Sequence, residues 1–293
     1  MKKSILLAGI ALFAVSCSDE IKNQVNNDVL VPVTVHVNGF SVAQEDFPET
    51  RTTTAADSYD GINAITLAFY KNGETETYKH EQLKSYATTY TTFGEFECSL
   101  PMGSYTMVVL AYHTSDGNPL VLTSPTAAAF TGHSFETFSK VETITINTTT
   151  AVSLSTTLDR IIAQLKVVST DGKTADVSNV RMTFSAGGKD FNPTTGLAIT
   201  NTGFANMVGN SAAVGATSTS STAFFLATDE QDIDVTIETL DADGNTLFSK
   251  TIENVPFKRN RKTKLSGAMY TNEALSGTFK IETAWLSDYD ANF

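Results

Sequence analysis

A period-two alternation of apolar and polar residues begins at residue 31 and recurs in short runs to the end of the chain. It confines the fold to β-strands that each bury one face. In the first run Val31, Val33, Val35 and Val37 share one side, opposite Pro32, Thr34 and His36. The phase slips at Gly39, beyond which Phe40 and Val42 carry the apolar side, so a β-bulge is expected at the glycine. Alternation returns at Ile65, Leu67 and Phe69, then at Phe96, Cys98 and Leu100. After the turn Pro101-Met102-Gly103 it runs from Tyr105 to Tyr112, and it continues at Ile144, Ile146, Val152 and Leu154. The 44 threonines fit the same surface, because β-branched side chains pack well on a pleat. No long helical period is present; a short helix fits only between Thr77 and Tyr90.

Around residue 158 the pattern restarts with Asp159-Arg160-Ile161-Ile162-Ala163-Gln164-Leu165. Val180, Met182 and Phe184 follow, then Phe224–Leu226, then Ile233, Val235 and Ile237. Phe279, Ile281, Thr283 and Trp285 alternate at the end. Residues 43–61 are polar and turn-rich and read as a linker, while 201–222, rich in Gly, Ser, Asn and Ala, read as a long loop. Asp241-Ala242-Asp243-Gly244-Asn245 is a hairpin turn. Many strands separated by turns define an all-β fold, here with two sandwiches expected over 31–157 and 158–293.

The N-terminus is built for export. Lys2 and Lys3 precede an apolar run, Ile5 to Val15, too short to span a bilayer. Ala14-Val15-Ser16-Cys17 resembles a lipobox, with Ala14 in place of the usual leucine, so residues 1–16 are expected to be a lipoprotein signal peptide. Cys17 is then the acylated first residue and 17–30 a tether, and the acyl chains hold the protein to outer-membrane lipid. Ser18-Asp19-Glu20 resembles the acidic surface-export signal of Bacteroidales lipoproteins.

Signals for chemistry are lacking. A formal charge of −12 argues against nucleic acid, whose phosphates need a basic face. With Cys17 accounted for, Cys98 has no partner and reads as a small buried hydrophobe. The four histidines (His36, His80, His113, His133) have no metal-ligand spacing, and no nucleophile elbow or phosphate loop occurs. No catalytic residue, metal or cofactor is expected. The basic run Lys258–Lys264 reads as a strand with Lys258, Asn260, Lys262 and Lys264 on one face, either a solvated edge or a ligand patch.

Four stretches together resemble the fimbrillin family of Bacteroidales, the type V pilin subunits with their anchor and tip relatives. They are the lipobox with its acidic tether; the first strand, then Thr50-Arg51-Thr52 and Ile62–Tyr70; Leu100–Tyr105 followed later by Arg160–Leu165; and Asn254–Thr263 leading to Leu265-Ser266-Gly267. The resemblance spans nearly the whole mature chain and implies two transthyretin-like β-sandwiches in tandem. It also implies that an arginine-specific protease cuts beyond the first strand, and that an extended segment of another pilin subunit fills the groove. Arg51, the one arginine of five in a polar linker, matches the cut. Val31, Val33, Val35, Val37, Phe40 and Val42 match the removable strand. Phe279, Ile281, Thr283 and Trp285 match a donor strand, although a plain last strand has the same pattern. The expected function is that of a pilus subunit at the cell surface, lipid-anchored in the outer membrane and assembled by donor-strand exchange. The alternatives are a non-polymerising anchor or tip subunit, or a surface glycan-binding lipoprotein, although Trp285 is the only tryptophan available for stacking on sugars.

Overall fold

A computed structural model describes residues 29–43, 51–73, 75–115, 117–271 and 279–285. Cys17, the expected signal peptide and residues 17–28 of the expected tether lie outside them. The first ten strands are β1 (Leu30–Ala43), β2 (Arg51–Thr54), β3 (Ala64–Lys71), β4 (Thr75–Leu83), β5 (Glu95–Pro101), β6 (Gly103–Tyr112), β7 (Leu120–Ser124), β8 (Ala127–Phe130), β9 (Thr137–Ile146) and β10 (Val152–Arg160). The next ten are β11 (Ala163–Ser169), β12 (Asn179–Phe184), β13 (Asp190–Asn192), β14 (Leu197–Ala198), β15 (Phe204–Gly209), β16 (Thr219–Phe224), β17 (Glu230–Leu240), β18 (Thr246–Lys258), β19 (Arg261–Gly267) and β20 (Lys280–Trp285). The molecule is all-β.

The largest sheet runs β2-β1-β10-β9-β6-β3-β4, with β5 joined to β1. Its inward residues close on one core, including Val31, Val35 and Phe40 of β1, Leu67 and Phe69 of β3, Phe96 and Leu100 of β5, and Phe138 of β9. Two four-stranded sheets, β16-β11-β19-β20 and β15-β12-β17-β18, enclose another core around Leu165, Met182, Phe184, Phe224, Ile237 and Leu265. A fourth sheet, β14-β13-β8-β7, takes two strands from before residue 158 and two from after it. Behind it lies a core that joins the halves: Ala64, Tyr70, Val108 and Tyr112 meet Ile161, Phe191 and Phe225. The central strands β3 and β6 are thus buried on both faces, which explains their nearly continuous apolar sequence.

Three segments depart from the sequence reading. Within 43–61, Arg51–Thr54 form β2, paired antiparallel with Phe40–Ala43. Threonine suits a strand as well as a linker, so composition alone hides it. Farther along, Ala56 and Tyr59 are buried in the first core. Within 201–222, Phe204–Gly209 pair with β12 and Thr219–Phe224 with β11. Buried polar residues interrupt their apolar side, as Asn206 of β15 stands between Phe204 and Val208 and donates through Nδ2 to Thr222 Oγ1 of β16 at 2.7 Å, so hydrophobic alternation does not mark them. The stretch from Thr77 to Tyr90 is mostly β4 and then a short 3-10 turn, Lys84–Thr89.

Candidate functional site

The first described strand is held along both of its edges. β1 runs parallel to β10 along one edge, from Val33 opposite Val152 to Ser41 opposite Asp159. Its other edge is shared: Leu30–His36 pair antiparallel with β5, and Phe40–Ala43 with β2. The register shifts between Val37 and Gly39, and Gly39 has φ +151°, so the bulge stands where the phase of the sequence slips. Val31, Val33, Val35, Val37 and Phe40 are all buried. β10 meets β9 only at Asp159 and Arg160, and β5 forms its ladder with β1 alone. Two strands therefore depend on β1 for most of their backbone hydrogen bonds.

Phe40 ends the row of valines in an aromatic nest. Its ring centroid lies 4.6 Å from that of Phe138 and 5.3 Å from that of Tyr59. Phe138 and Tyr59 meet edge-on at 5.6 Å. Beneath them Arg160 Nη2 pairs with Glu136 Oε1 at 2.6 Å and donates to Tyr59 Oη at 2.8 Å, while Tyr59 donates to Glu136 Oε1 at 2.7 Å. Arg160 Nη1 reaches Asn260 Oδ1 at 3.1 Å, and the guanidinium lies 5.0 Å from the centre of the Phe138 ring. Burial first, and the Glu136 charge second, push the Tyr59 hydroxyl far above the ordinary tyrosine range, so it stays a donor. A Cβ on Gly61 would stand 2.3 Å from Glu136 Oε2, so glycine leaves room for the pair. Sequence reasoning passed over Glu136, left Tyr59 in the linker and Asn260 on one face of the basic run, and took Arg160 only as the opening of a strand. The one usable signal was an arginine set directly before Ile161-Ile162.

The backbone of Arg51 pairs with Ala43 inside β2, and Val42 pairs with Thr52. Arg51 therefore stands in a paired strand and not in the open linker that the sequence suggested. Cys98 lies opposite Val33 on β5, half-buried against the first core, and burial pushes its thiol up to about 11.

At the far end of the chain, β20 pairs with β19, placing Ile281 opposite Leu265, Thr283 opposite Thr263 and Trp285 opposite Arg261. It is the edge strand of its sheet; Phe279 packs partly against the last core, and Ile281 is exposed. The chain leading toward it is clamped by Asp171, whose carboxylate accepts backbone N–H groups from Met269, Tyr270 and Thr271 at 2.8, 2.8 and 2.9 Å. Nothing local in the sequence marks that residue. The first strand and the last strand belong to different sheets, so the structure does not bring the two sets of candidate residues together.

The basic run is a hairpin turn between β18 and β19, not a continuous strand, because Asn260 takes φ +58° and its N–H donates to Ile162 O at 2.7 Å. Its charges are engaged within the molecule: Lys258 pairs with Glu230, and Arg259 Nη2 with Asp229 at 2.8 Å. His113 and His133 flank Phe135, and His36 faces Glu95 across β1 and β5. Among the described residues no three His, Cys, Asp or Glu side chains gather as a metal site.

The fold is shared with solved structures of Bacteroides proteins. A candidate cell adhesion protein from Bacteroides ovatus superposes with a TM-score of 0.51 at 12% identity, covering 89% of this chain and 99% of that one. A candidate adhesin of the same species gives 0.51 at 11% identity, over 85% of this chain and 88% of the other. The fimbrial anchor protein Mfa2 from Porphyromonas gingivalis gives 0.49 at 9% identity, over 87% and 97%. No curated protein matches. Residues 24–292 match the model of a family of unknown function, DUF6562, and the chain belongs to that family.

Proposed function

We propose that this protein is a structural or adhesive subunit of a cell-surface fibre, joined to other pilin subunits by strand exchange and not acting as an enzyme. The observation that carries the reading is the place of β1. It is the first described strand, its inward side chains are buried, and it is the main ladder partner of both β10 and β5. Burial of about 1.5–3 kcal/mol per side chain puts the removal of its five buried residues on the order of 10 kcal/mol, an upper bound because the groove can partly close. A chain cut after Arg51 by an arginine-specific protease would expose that apolar slot together with two open backbone edges, a strong drive to accept a strand. The C-terminal strand, with Phe279, Ile281, Thr283 and Trp285, supplies the donor, and acylated Cys17 holds the uncut protein in the outer membrane. The boundary between the two sandwiches lies near residue 158. The fold shared with candidate adhesins supports the surface role.

A second reading, a non-polymerising anchor or tip subunit, is favoured by one feature: Arg51 sits in a strand paired to β1, a setting that resists proteolysis. One experiment separates the two. The mature chain is treated with an arginine-specific protease, its new N-terminus is sequenced, and its size is followed by sedimentation. Loss of residues through Arg51 followed by oligomers, both absent in Arg51→Ala, supports the stalk reading. An intact N-terminus, or a cut chain that stays monomeric at high concentration, moves the protein to the anchor reading.

A further inference from the structure

On the reading that β1 yields its place to a strand of another subunit, we propose that the position of Phe40 is the selectivity subsite of the groove. It takes an aromatic side chain from the C-terminal strand of a second copy.

The four other buried positions of β1 are valines, so they ask only for β-branched residues of similar size. Phe40 alone is aromatic, and the two rings it packs against are anchored through other elements as well. Phe138 belongs to β9, which pairs along its length with β6. Tyr59 is held through its hydroxyl by Glu136 and Arg160, and Arg160 is tied in turn to Asn260 beyond the junction between the halves. Collapse into the vacated space would pull apart a buried, hydrogen-bonded ion pair, which is strongly unfavourable. The rings about Phe40 are therefore the part of the groove that resists closure most when β1 leaves. That part offers one ring at a tilt of 39° and another at 58°, both with centroids within the range at which aromatic pairs attract. An aliphatic guest would leave much of it empty, and an unfilled cavity carries its own cost.

The sequence Phe279-Lys280-Ile281-Glu282-Thr283-Ala284-Trp285 matches this demand. Ile281 and Thr283 are β-branched, suited to the valine positions, and an aromatic residue stands at each end of the alternation. With a kink matching the one at Gly39, one terminal ring reaches the subsite in either strand direction, while Ile281 and Thr283 take the Val35 and Val37 positions and the valine row is engaged no farther than Val35. β20 is also a sheet edge whose one ladder partner among the described residues is β19, so leaving that single ladder frees both of its backbone edges for the slot between β10 and β5.

The test cuts the mature chain with an arginine-specific protease in the presence of excess synthetic peptide spanning residues 30–43, so that the groove never stands empty. Peptides carrying Phe40→Trp, Phe40→Ala or Val33→Ala then compete with the parent peptide. Loss of a buried phenylalanine should weaken binding by about a hundredfold or more and loss of a valine by about tenfold, with Phe40→Trp close to the parent. Equal binding of the Phe40→Ala and parent peptides overturns the subsite and leaves strand exchange standing. Failure of every peptide to bind overturns strand exchange and the subsite with it. In the full chain, the double variant Phe279→Ala/Trp285→Ala should remain monomeric after cleavage, while Ile281→Ala assembles more slowly than wild type. Assembly of the double variant at the wild-type rate overturns a second copy's C-terminal strand as the occupant.

Discussion

Asp171 shows how one carboxylate can fix the course of a chain. Burial alone would raise its pKa, but the backbone N–H bonds from Met269, Tyr270 and Thr271 together outweigh burial and hold it below the usual carboxylate range. A group with a depressed folded pKa stabilises the fold above its unfolded pKa, about 3.9 for Asp, and loses that contribution as pH falls through the folded value. Asp171→Asn keeps at most part of the clamp and should cost about 1–2 kcal/mol at neutral pH, toward the low side because the carboxylate is partly exposed. The expected signature in thermal melts is a gap between wild type and variant that is constant from pH 7 to 5 and closes below pH 4. A gap that widens in acid would contradict the clamp. Arg160 and Glu136 lie at the other extreme, a pair so enclosed that removing one partner strands the other's charge away from water.

Among the elements, β1 carries the most consequence, and Cys98 reports on it. With Val33 paired against it across the ladder, the thiol is half-buried and its pKa is raised to about 11, so thiolate is scarce at neutral pH. Departure of β1 removes that cover and leaves β5 without its ladder. Labelling of Cys98 by a thiol reagent at pH 7.5 should therefore be slow in the uncut chain and at least about tenfold faster after cleavage, because access and thiolate fraction rise together. Addition of the residue 30–43 peptide should restore the slow rate. Equal rates before and after the cut would mean that β1 remains docked. The bulge at Gly39 sharpens the point, because it changes the spacing between Val37 and Phe40 from two residues to three. An incoming strand must either reproduce that kink or use only one side of it.

At the scale of the whole molecule, the halves are not independent beads. Phe225 stacks on Phe191 at 4.2 Å and lies 6.4 Å from Phe130, joining residues from both sides of position 158 in one core. Ser139 Oγ donates to Pro193 O at 2.7 Å, and Thr194 Oγ1 to Pro125 O at 3.0 Å, across the same junction. Calorimetry of the uncut protein should show one cooperative transition whose calorimetric and van't Hoff enthalpies agree. Phe225→Ala should lower the stability of the entire chain by about 3–5 kcal/mol. Two resolved transitions in wild type, with only the later one moved by Phe225→Ala, would show that the shared core does not couple the halves.

Much of this architecture is written locally. Alternating side chains specify strands because a pleated backbone sends successive residues to opposite faces, so the valines of β1, the slip at Gly39 and the final alternation could be read directly. Strands without a run of alternating apolar residues escaped. β2 reads Arg-Thr-Thr-Thr, and Asn206 in β15 and Ser220 and Thr222 in β16 take buried positions where an apolar residue would have marked the strand. The ladder partners of β15 and β16 lie in β12 and β11, outside any local window. The same limit hid the site. Tyr59, Glu136, Arg160 and Asn260 are scattered over two hundred residues, and only the packing of β9, β10 and the β18–β19 turn brings them beneath Phe40. Local sequence determines which way each side chain points along its own strand. Which distant residues it then meets is decided by strand order and by the closure of the sheets, which belong to the tertiary structure alone.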